Sequence, residues 1–373
     1  MAKTMELPCS NCGAPLRYSP GVDSLACENC GTINDLPPAF ENPWQPAPEI
    51  REHDYAEAIN AKLPEVAFSE TETISCPGCG AEITFDAETI ADECPFCATP
   101  LSREASRPSR HPKADGVLPF LLTEREARAK MKVWLGRLWF APSGLKRYAE
   151  SGRPMSGVYL PFYTYDAMGD ADYRGQRGDA YYLTQHVNVM RDGKSRRVAQ
   201  QVRKIRWTPV SGRVRRAFDD VLVPASTTIE PAADRAEAGG RSWDLSALEP
   251  FRSEFLAGFR AEAPSIELEA GFARATQVME AMLARDARFD IGGDAQRLTE
   301  LSPRYSDISF KHVLLPLWIA AYRWKNMPFR VVINGRTGEV QGQRPWSVWK
   351  ITFAVVAALL LAGLAGYFFA VQR

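Results

Sequence analysis

An uncharged apolar segment, residues 351–371, lies close to the C-terminal end of the 373-residue chain. At 1.5 Å per residue, a helix of this length is about 30 Å long, which matches the hydrocarbon core of a bilayer. A helix that is apolar on every side must be buried in a large core or in lipid. Because charged residues precede the segment and only Gln372 and Arg373 follow it, we predict a transmembrane helix.

The charges beside this segment indicate its direction. One basic residue, Arg373, follows the segment, and six precede it closely. The six are Arg323, Lys325, Arg330, Arg336, Arg344 and Lys350. Lys and Arg accumulate on the cytoplasmic side of membranes, and residues 1–10 have no apolar core of the kind that a signal peptide carries. We therefore expect a protein that crosses the inner membrane once, with its N-terminus and main body in the cytosol.

Charge is divided unevenly along the chain, although the net charge is zero. Residues 1–100 contain 4 Lys and Arg against 17 Asp and Glu, a net charge of −13, and the remainder contains 41 against 28, a net charge of +13. Such a division indicates that the two parts contact different partners or surfaces. All eight cysteines also fall before residue 100, and in a reducing cytosol their spacing, rather than disulfide formation, decides their role.

The cysteines form two sets, each made of two Cys-x-x-Cys pairs. In each set 14 residues separate the pairs, and every cysteine of the second set follows its counterpart by 67 residues. Two such turns can present four thiolates tetrahedrally, as Zn²⁺ prefers, and they leave no coordination position for water. We therefore predict two structural Zn²⁺ ions in two zinc ribbons, with iron–sulfur or redox chemistry as the alternative. The predicted ligands are Cys9, Cys12, Cys27 and Cys30 in the first ribbon and Cys76, Cys79, Cys94 and Cys97 in the second.

The residue after each Cys-x-x-Cys pair is expected to adopt a positive φ. Glycine adopts such a conformation without strain, and it occupies this place at Gly13, Gly31 and Gly80. Ala98 occupies the place after the fourth pair. We therefore expect slight backbone strain at Ala98.

The charge of the two ribbons favours protein over nucleic acid as their partner. Phosphate binding requires Lys and Arg, and residues 1–100 contain only Lys3, Arg17, Arg51 and Lys62. We therefore do not expect the ribbons to bind nucleic acid, whereas docking of a protein fits their acidic charge. A pair of structural caps without a partner is the alternative.

Composition and spacing divide the chain into six segments. Prolines mark the linker between the ribbons, and His53 in this linker is expected at the surface rather than at a metal. The predicted boundaries are 1–35 for the first zinc ribbon, 36–70 for a Pro-rich linker with a short helix, 71–102 for the second zinc ribbon, 103–116 for a second linker, 117–345 for a central domain and 346–373 for the membrane anchor.

The central domain is predicted to be α+β with antiparallel strands. Thr123 and Glu126 form a capping-box pattern, and the helix that follows has Met131, Leu135 and Trp139 on its apolar face. Apolar periodicity predicts two further helices, over 248–259 and 268–283. Aromatic and β-branched runs, with a hairpin turn at Asp192-Gly193, predict strands. These strands are 157–167, 181–190, 196–207, 214–223, 313–324, 329–333 and 339–341.

Basic residues concentrate in residues 191–216, which contain ten Lys and Arg and one acidic residue, Asp192. Such a run can bind a polyanion or anionic lipid, or it can be the solvated side of a twisted hairpin. The tripeptide Gly-Lys-Ser at 193–195 resembles the end of a phosphate-binding loop. The loop requires a glycine five residues before its last one, and Asn188 stands there.

The sequence contains no catalytic motif of a familiar kind. The patterns H-E-x-x-H, G-x-S-x-G and G-x-G-x-x-G are absent, and the four histidines fall into no motif. We therefore expect that the chain is not an enzyme.

Three features together resemble a family of bacterial membrane proteins: the paired cysteine sets, the apolar tail and the segment PLWIAAYRWKNMPFRVVINGRTGEVQGQRPWSVWK. The family is labelled TFIIB-type zinc-ribbon protein, or primosomal protein N′ (replication factor Y), superfamily II helicase. Helicase activity is not expected, because the chain has no nucleotide-binding loop. The chain is similar to members encoded beside phage-shock and SPFH-domain proteins. This implies that it recruits a soluble partner, of the SPFH-domain or phage-shock type, to the membrane in envelope stress.

These features predict a membrane-anchored scaffold or adaptor. Its ribbons would dock a cytosolic protein partner at the inner membrane, and the central domain would space them from the bilayer. The alternative is a membrane-tethered nucleic-acid-binding protein that uses residues 191–216. Ala358, Ala362 and Gly366 lie four residues apart in the tail, which predicts self-association through this small-residue face.

Overall fold

The computed structural model of the chain describes residues 7–22, 24–36, 50–60, 68–84, 91–102, 106–139, 155–191, 194–228, 243–324, 327–342 and 347–371. In these residues the α-helices are α1 (Tyr55–Ile59), α2 (Glu124–Gly136), α3 (Leu268–Ile291) and α4 (Val348–Val371). The strands are β1 (Leu16–Ser19), β2 (Ser24–Cys27), β3 (Ile33–Asp35), β4 (His53–Asp54), β5 (Phe68–Ser75), β6 (Glu82–Thr84), β7 (Ala91–Glu93), β8 (Pro100–Ser102), β9 (Arg107–Pro112), β10 (Gly116–Val117), β11 (Ser156–Arg191), β12 (Lys194–Pro224), β13 (Glu249–Pro250), β14 (Arg260–Ala261), β15 (Ala295–Trp324), β16 (Met327–Asn334) and β17 (Val340–Gly342). The chain is thus a strand-rich α/β protein.

Three very long antiparallel strands organise the largest sheet. β11 has 36 residues, β12 has 31 and β15 has 30. β11 lies in the middle and pairs with β12 along one edge and with β15 along the other. At about 3.3 Å per residue the contour length of β11 is about 120 Å. The antiparallel pairing agrees with the predicted class, although the short pairs β10–β15 and β11–β14 are parallel.

β11 and β12 continue beyond the end of β15 as a two-stranded hairpin. Pairing of β11 with β15 ends at Gly178 and Ala295, whereas pairing with β12 continues to Arg191 and Lys194. We call residues 179–191 and 194–206 the hairpin arm. The predicted turn at 192–193 lies outside the described residues, but the strands on both sides of it pair in the register that a two-residue turn requires.

The prediction of separate strands at 157–167 and 181–190 is wrong, because one strand runs through both. Between them, Ala171 and Tyr173 are buried and Asp172 and Arg174 are exposed, so the alternation of a strand continues. Gly175 allows a close approach at this point, since a Cβ there would lie 2.5 Å from the carbonyl oxygen of residue 297. Glycine and aspartate, which are ordinarily strand breakers, therefore lie within the strand.

α3 covers one face of the long sheet and closes its core. Ala275, Met279 and Leu283 are fully buried and belong to one cluster with Tyr165 and Phe218. This helix confirms the prediction for 268–283 and extends it to residue 291.

α2 confirms the predicted capping box. The Thr123 side chain accepts a hydrogen bond from the Glu126 backbone, and the Glu126 carboxylate accepts one from the Thr123 N–H. Met131 and Leu135 are buried as expected, but Trp139 is 84% exposed. The helix ends at residue 136, so Trp139 no longer follows the helical period.

Residues 248–259 do not form the predicted α-helix. They contain β13 and a 3-10 turn at Ser253–Leu256, and Gly258 has a φ of +78°. Backbone groups of this segment bond to other parts of the chain instead, as the Tyr18 N–H does to the Ala257 carbonyl oxygen at 3.0 Å. Tertiary hydrogen bonds therefore override the apolar periodicity.

Parts of both predicted linkers are regular and attached to the rest of the fold. β4 pairs with β15, and β9 pairs with β5. His53, expected at the surface, is largely buried, and its Nε2 lies 2.8 Å from the Asp115 carboxylate. The prediction that His53 lies at the surface is therefore wrong.

α4 is long and apolar enough to span a membrane. The spanning stretch is Trp349–Phe368, and none of it is buried inside the protein. The start of α4 contacts the residues that follow α2, since Lys350 Nζ donates to the Trp139 carbonyl oxygen at 3.4 Å.

The packing of α3 predicts which of its side chains stabilise the fold. Met279→Ala should lower the free energy of unfolding by about 2–5 kcal/mol, because it leaves a cavity in a closed core. Phe289→Ala on the same helix is the matched control: Phe289 is 89% exposed, and its loss should change stability by no more than about 0.5 kcal/mol. Chemical denaturation of the full-length chain in detergent measures both. Equal effects of the two substitutions would contradict the described packing.

Candidate metal centres

Two groups of four cysteine sulfurs lie close enough to hold metal ions. Within each group all four Sγ atoms are within 4.8 Å of one another. The shortest Sγ–Sγ distances are 3.4 and 3.6 Å in the first group and 3.5 and 3.6 Å in the second. A tetrahedral site with Zn–S bonds of about 2.3 Å separates its sulfurs by about 3.8 Å, so the donor sets fit such an ion. The groups are the predicted ones, Cys9, Cys12, Cys27 and Cys30, and Cys76, Cys79, Cys94 and Cys97.

Each Cys-x-x-Cys pair is a turn closed by two backbone hydrogen bonds. In the third pair, the Gly80 N–H donates to the Cys76 carbonyl oxygen, and the Cys76 N–H donates to the Ala81 carbonyl oxygen, both at 2.8 Å. The same two bonds recur at all four pairs. These turns aim the sulfurs of each pair toward one point.

The residue after each pair has a positive φ, as expected. The values are 71° at Gly13, 73° at Gly31, 75° at Gly80 and 55° at Ala98. An L-residue in this region is strained by about 1–2 kcal/mol. The positive φ at Ala98 therefore supports the prediction of backbone strain at this residue.

Hydrogen bonds lower the pKa of one cysteine thiol in each group. Bonds with the side chain and backbone of Thr32 lower the pKa of the Cys30 thiol to about 5. The bond with Cys94 lowers the pKa of the Cys79 thiol to about 5, while the pKa of Cys94 is raised chiefly by the same bond. Hydrogen bonding therefore favours the thiolate form of one cysteine in each group, and thiolates are the form that binds metal.

We call residues 7–36 the first four-cysteine module. β1, β2 and β3 form its antiparallel sheet, in that order, with β3 at the outer edge. Its inner side belongs to the core of the large domain, since Cys9, Tyr18 and Cys27 share one cluster with Phe120 and Leu314. The module is therefore packed onto the sheet and is not a separate head on a linker.

We call residues 68–102 the second four-cysteine module. Three of its four cysteines are buried and Cys79 is half-buried. Cys76 and Cys94 share a cluster with Leu160 and Ile319 of the long sheet. This module is therefore packed onto the sheet as well.

Residues 257–263, the bridging segment, contact both modules. The carbonyl oxygens of Ala257 and Gly258 accept bonds from residues 17–18 of the first module. The Thr84 hydroxyl donates to the Ala261 carbonyl oxygen at 2.7 Å, which attaches the second module. The segment also bonds to the sheet, because the N–H of residue 262 donates to the carbonyl oxygen of residue 159 at 3.0 Å.

A buried carboxylate lies at the junction of the second module, the bridging segment and the sheet. Glu262 is 2% exposed and accepts hydrogen bonds from the Ser226 and Thr228 hydroxyls. Burial raises the pKa of Glu262 to about 7. The sequence alone does not predict the contacts of this segment. Gly258 and Pro264 indicate where a helix or strand ends, but not which other parts of the chain the segment contacts.

Three of the four histidines, His53, His111 and His312, lie in or beside a different polar cluster. His53 and the His312 backbone N–H both bond to the Asp115 carboxylate, at 2.8 and 2.9 Å. Burial lowers the pKa of His312 to about 4, and His111 beside it has its pKa lowered by the same cause. Within the described part of the chain, the two cysteine groups are the places where three or more possible metal ligands meet. The histidine cluster is thus a hydrogen-bonded contact between β4, β15 and the residue that precedes β10.

Comparison with known proteins gives a distant relative. The chain is 25% identical over 353 residues to the uncharacterized protein YdjG of Bacillus subtilis (strain 168), and the alignment covers 78% of this chain and 93% of YdjG. No family model matches the chain. No solved structure matches it. The resemblance to zinc-ribbon membrane proteins therefore stays a prediction.

Substitutions at the equivalent positions 98 and 80 should change the free energy of unfolding in opposite directions, because Ala98 is strained and Gly80 is not. Ala98→Gly should raise the free energy of unfolding by about 1 kcal/mol, because glycine adopts the positive φ without strain. Gly80→Ala should lower it by about 1–2 kcal/mol, since a Cβ there contacts nothing within 4 Å and the effect is conformational only. Denaturation at a fixed zinc concentration measures both. A destabilising Ala98→Gly would refute the described turn.

Proposed function

We propose that this chain is a membrane-anchored scaffold that docks a soluble cytosolic protein at the inner membrane. We further propose that its two cysteine groups are structural Zn²⁺ sites of zinc ribbons. One combination of features carries the proposal. The chain has two four-cysteine groups that can hold metal ions, in modules packed against the sheet, and an unburied helix long enough to span a membrane. The proposal includes no enzymatic activity.

The donor chemistry supports zinc as the ion. Four thiolates at tetrahedral spacing suit Zn²⁺ and close its coordination sphere, so that no position is left for a reacting water. The paired turns on short antiparallel strands support the ribbon assignment, since each module presents two Cys-x-x-Cys turns between antiparallel partners. Zinc bound in this way would stabilise the fold and perform no catalysis.

The tail supports the location. Lys and Arg precede α4 more often than they follow it, which favours a cytosolic main body. The residues Ala358, Ala362 and Gly366 are exposed along α4, which supports the further proposal of self-association within the bilayer.

The outer edge of the first four-cysteine module is the surface that we propose for docking. β3 pairs on one side with β2, and its Ile33 side chain is 66% exposed. Asp35, at the end of β3, is exposed, whereas Glu28 of the same module pairs with Arg17. An exposed apolar side chain with a carboxylate on the same edge strand suits a partner with a basic and apolar segment that adds as a strand. A partner of the phage-shock or SPFH-domain type rests on the resemblance alone.

The hairpin arm supports the second candidate, nucleic-acid binding, more weakly. Arg203, Lys204 and Arg206 are exposed on it. Nearer the sheet, however, Arg213 pairs with Asp170 and Arg216 pairs with an acidic residue of α3. Part of the basic run is therefore neutralised within the fold, which favours the protein scaffold.

Co-purification of the full-length chain from detergent-solubilised membranes tests the docking surface. Ile33→Glu places a charge on the edge strand and should reduce the recovered partner by at least about tenfold, because a buried unpaired charge costs several kcal/mol. Val198→Glu on the hairpin arm is the matched control, since Val198 is also exposed, and it should leave recovery unchanged. Zinc content measured on each variant verifies that the module is intact.

Recovery of the same protein with Ile33→Glu as with the unchanged chain would refute docking at β3. Loss with Val198→Glu alone would place docking on the hairpin arm. Recovery of nucleic acid in place of a protein, released by salt, would favour the second candidate.

A further inference from the structure

We infer that the C-terminal end of α2 is a second membrane contact, which lies on anionic lipid headgroups beside the point where α4 enters the bilayer. This inference rests on the proposed membrane anchoring by α4. It starts from one contact: Lys350 Nζ, in the first turn of α4, donates to the Trp139 carbonyl oxygen at 3.4 Å. The residues after α2 are thereby placed next to the first turn of the spanning helix.

Two exposed tryptophans lie on either side of this contact. Trp139 is 84% exposed and Trp349 is 81% exposed. Tryptophan is highly buried on average in soluble proteins, whereas it accumulates at the headgroup level of membrane proteins, where its ring is in an apolar region and its N–H in a polar one. Lys350 follows Trp349 in sequence and its side chain reaches the backbone of Trp139, so both tryptophans lie near the first turn of α4 and a bilayer that receives one would lie close to the other.

The charge of α2 is separated along its axis in the direction that an anionic surface requires. Both acidic residues of the helix, Glu124 and Glu126, are in its first turn. From residue 127 to residue 139 the chain has four basic residues and no acidic one. The four are Arg128, Lys130, Lys132 and Arg137; Arg128 pairs with Glu124 of the first turn, and the other three lie nearer the C-terminal end. The basic end is the one that contacts α4, and each Lys or Arg near an anionic leaflet strengthens binding by about fivefold.

The two sides of α2 have different surroundings. Ala127, Met131 and Leu135 are buried in the core, so one side is fixed to the body of the protein. Lys132 and Arg137 are exposed on the other side. A rigid helix with one side in the core and its basic end against headgroups would fix the orientation of the long sheet relative to the bilayer, which a single spanning helix alone does not do.

Tryptophan fluorescence of the full-length chain in nanodiscs tests the contact. The nanodiscs contain phosphatidylcholine alone or an equal mixture with phosphatidylglycerol, with or without lipids brominated close to the headgroup. The difference between the unchanged chain and Trp139→Phe isolates the emission of Trp139, and Trp349→Phe does the same for Trp349. Lys132→Glu/Arg137→Glu removes the basic end of α2, and Arg203→Glu/Lys204→Glu on the hairpin arm is the matched control.

We expect brominated lipids to quench Trp139 in the anionic nanodiscs at least about twofold more strongly than in phosphatidylcholine. The Lys132→Glu/Arg137→Glu variant should lose this quenching and the control variant should keep it, while Trp349 stays quenched throughout. Trp139 that is unquenched in both lipids beside a quenched Trp349 would overturn the second contact and leave the anchor in place. An unquenched Trp349 would overturn the anchor and the second contact together.

Discussion

Backbone hydrogen bonds of residues 257–263 connect three parts of the chain that are distant in sequence. The segment accepts bonds from the first four-cysteine module and the second, and it donates to the sheet. Modules of about 30 residues have too little interior to be stable alone, and here their cysteines complete their packing against Phe120 and Leu314 on one side and Leu160 on the other. The fold around the sheet and the fold around the sulfurs therefore depend on one another.

This dependence determines what the metal sites can do. Structural zinc contributes on the order of 10 kcal/mol to folding in small modules, whereas a single hydrogen bond contributes about 1 kcal/mol. With both modules fixed to the bridging segment, a metal ion bound by the cysteines would stabilise the junction as well as the turns. The surfaces that we propose for other molecules are the outer edge of β3, the hairpin arm, and a membrane side formed by α4 and the end of α2. The proposed scaffold would need such an arrangement, a rigid centre with separate faces for membrane and partner.

The parts that sequence reasoning found are those whose cause is local. The cysteine spacing fixes the turns, the positive φ explains Gly80 and identifies Ala98 as different, and the capping box at Thr123 starts α2. The parts it missed are caused by distant contacts. Residues 248–259 looked helical because Phe251, Phe255 and Phe259 repeat every four residues, but backbone groups at the end of this stretch bond to the first four-cysteine module. The long strand β11 looked interrupted because Gly175 and its neighbours resemble a turn, yet α3 and β15 hold them extended.

Hydrogen exchange with and without zinc tests the shared core most directly. The full-length chain in detergent should contain two zinc ions, and a chelator that removes them should raise the exchange rate of amides in 257–263 together with that of Tyr18 and Thr84. The amide of Met279, in the part of α3 that packs away from the modules, should stay protected at first and serves as the internal reference. Removal of both ions with no change in exchange at 257–263, or a chain that holds no zinc, would contradict the conclusion that the metal sites and the fold around the sheet stabilise one another.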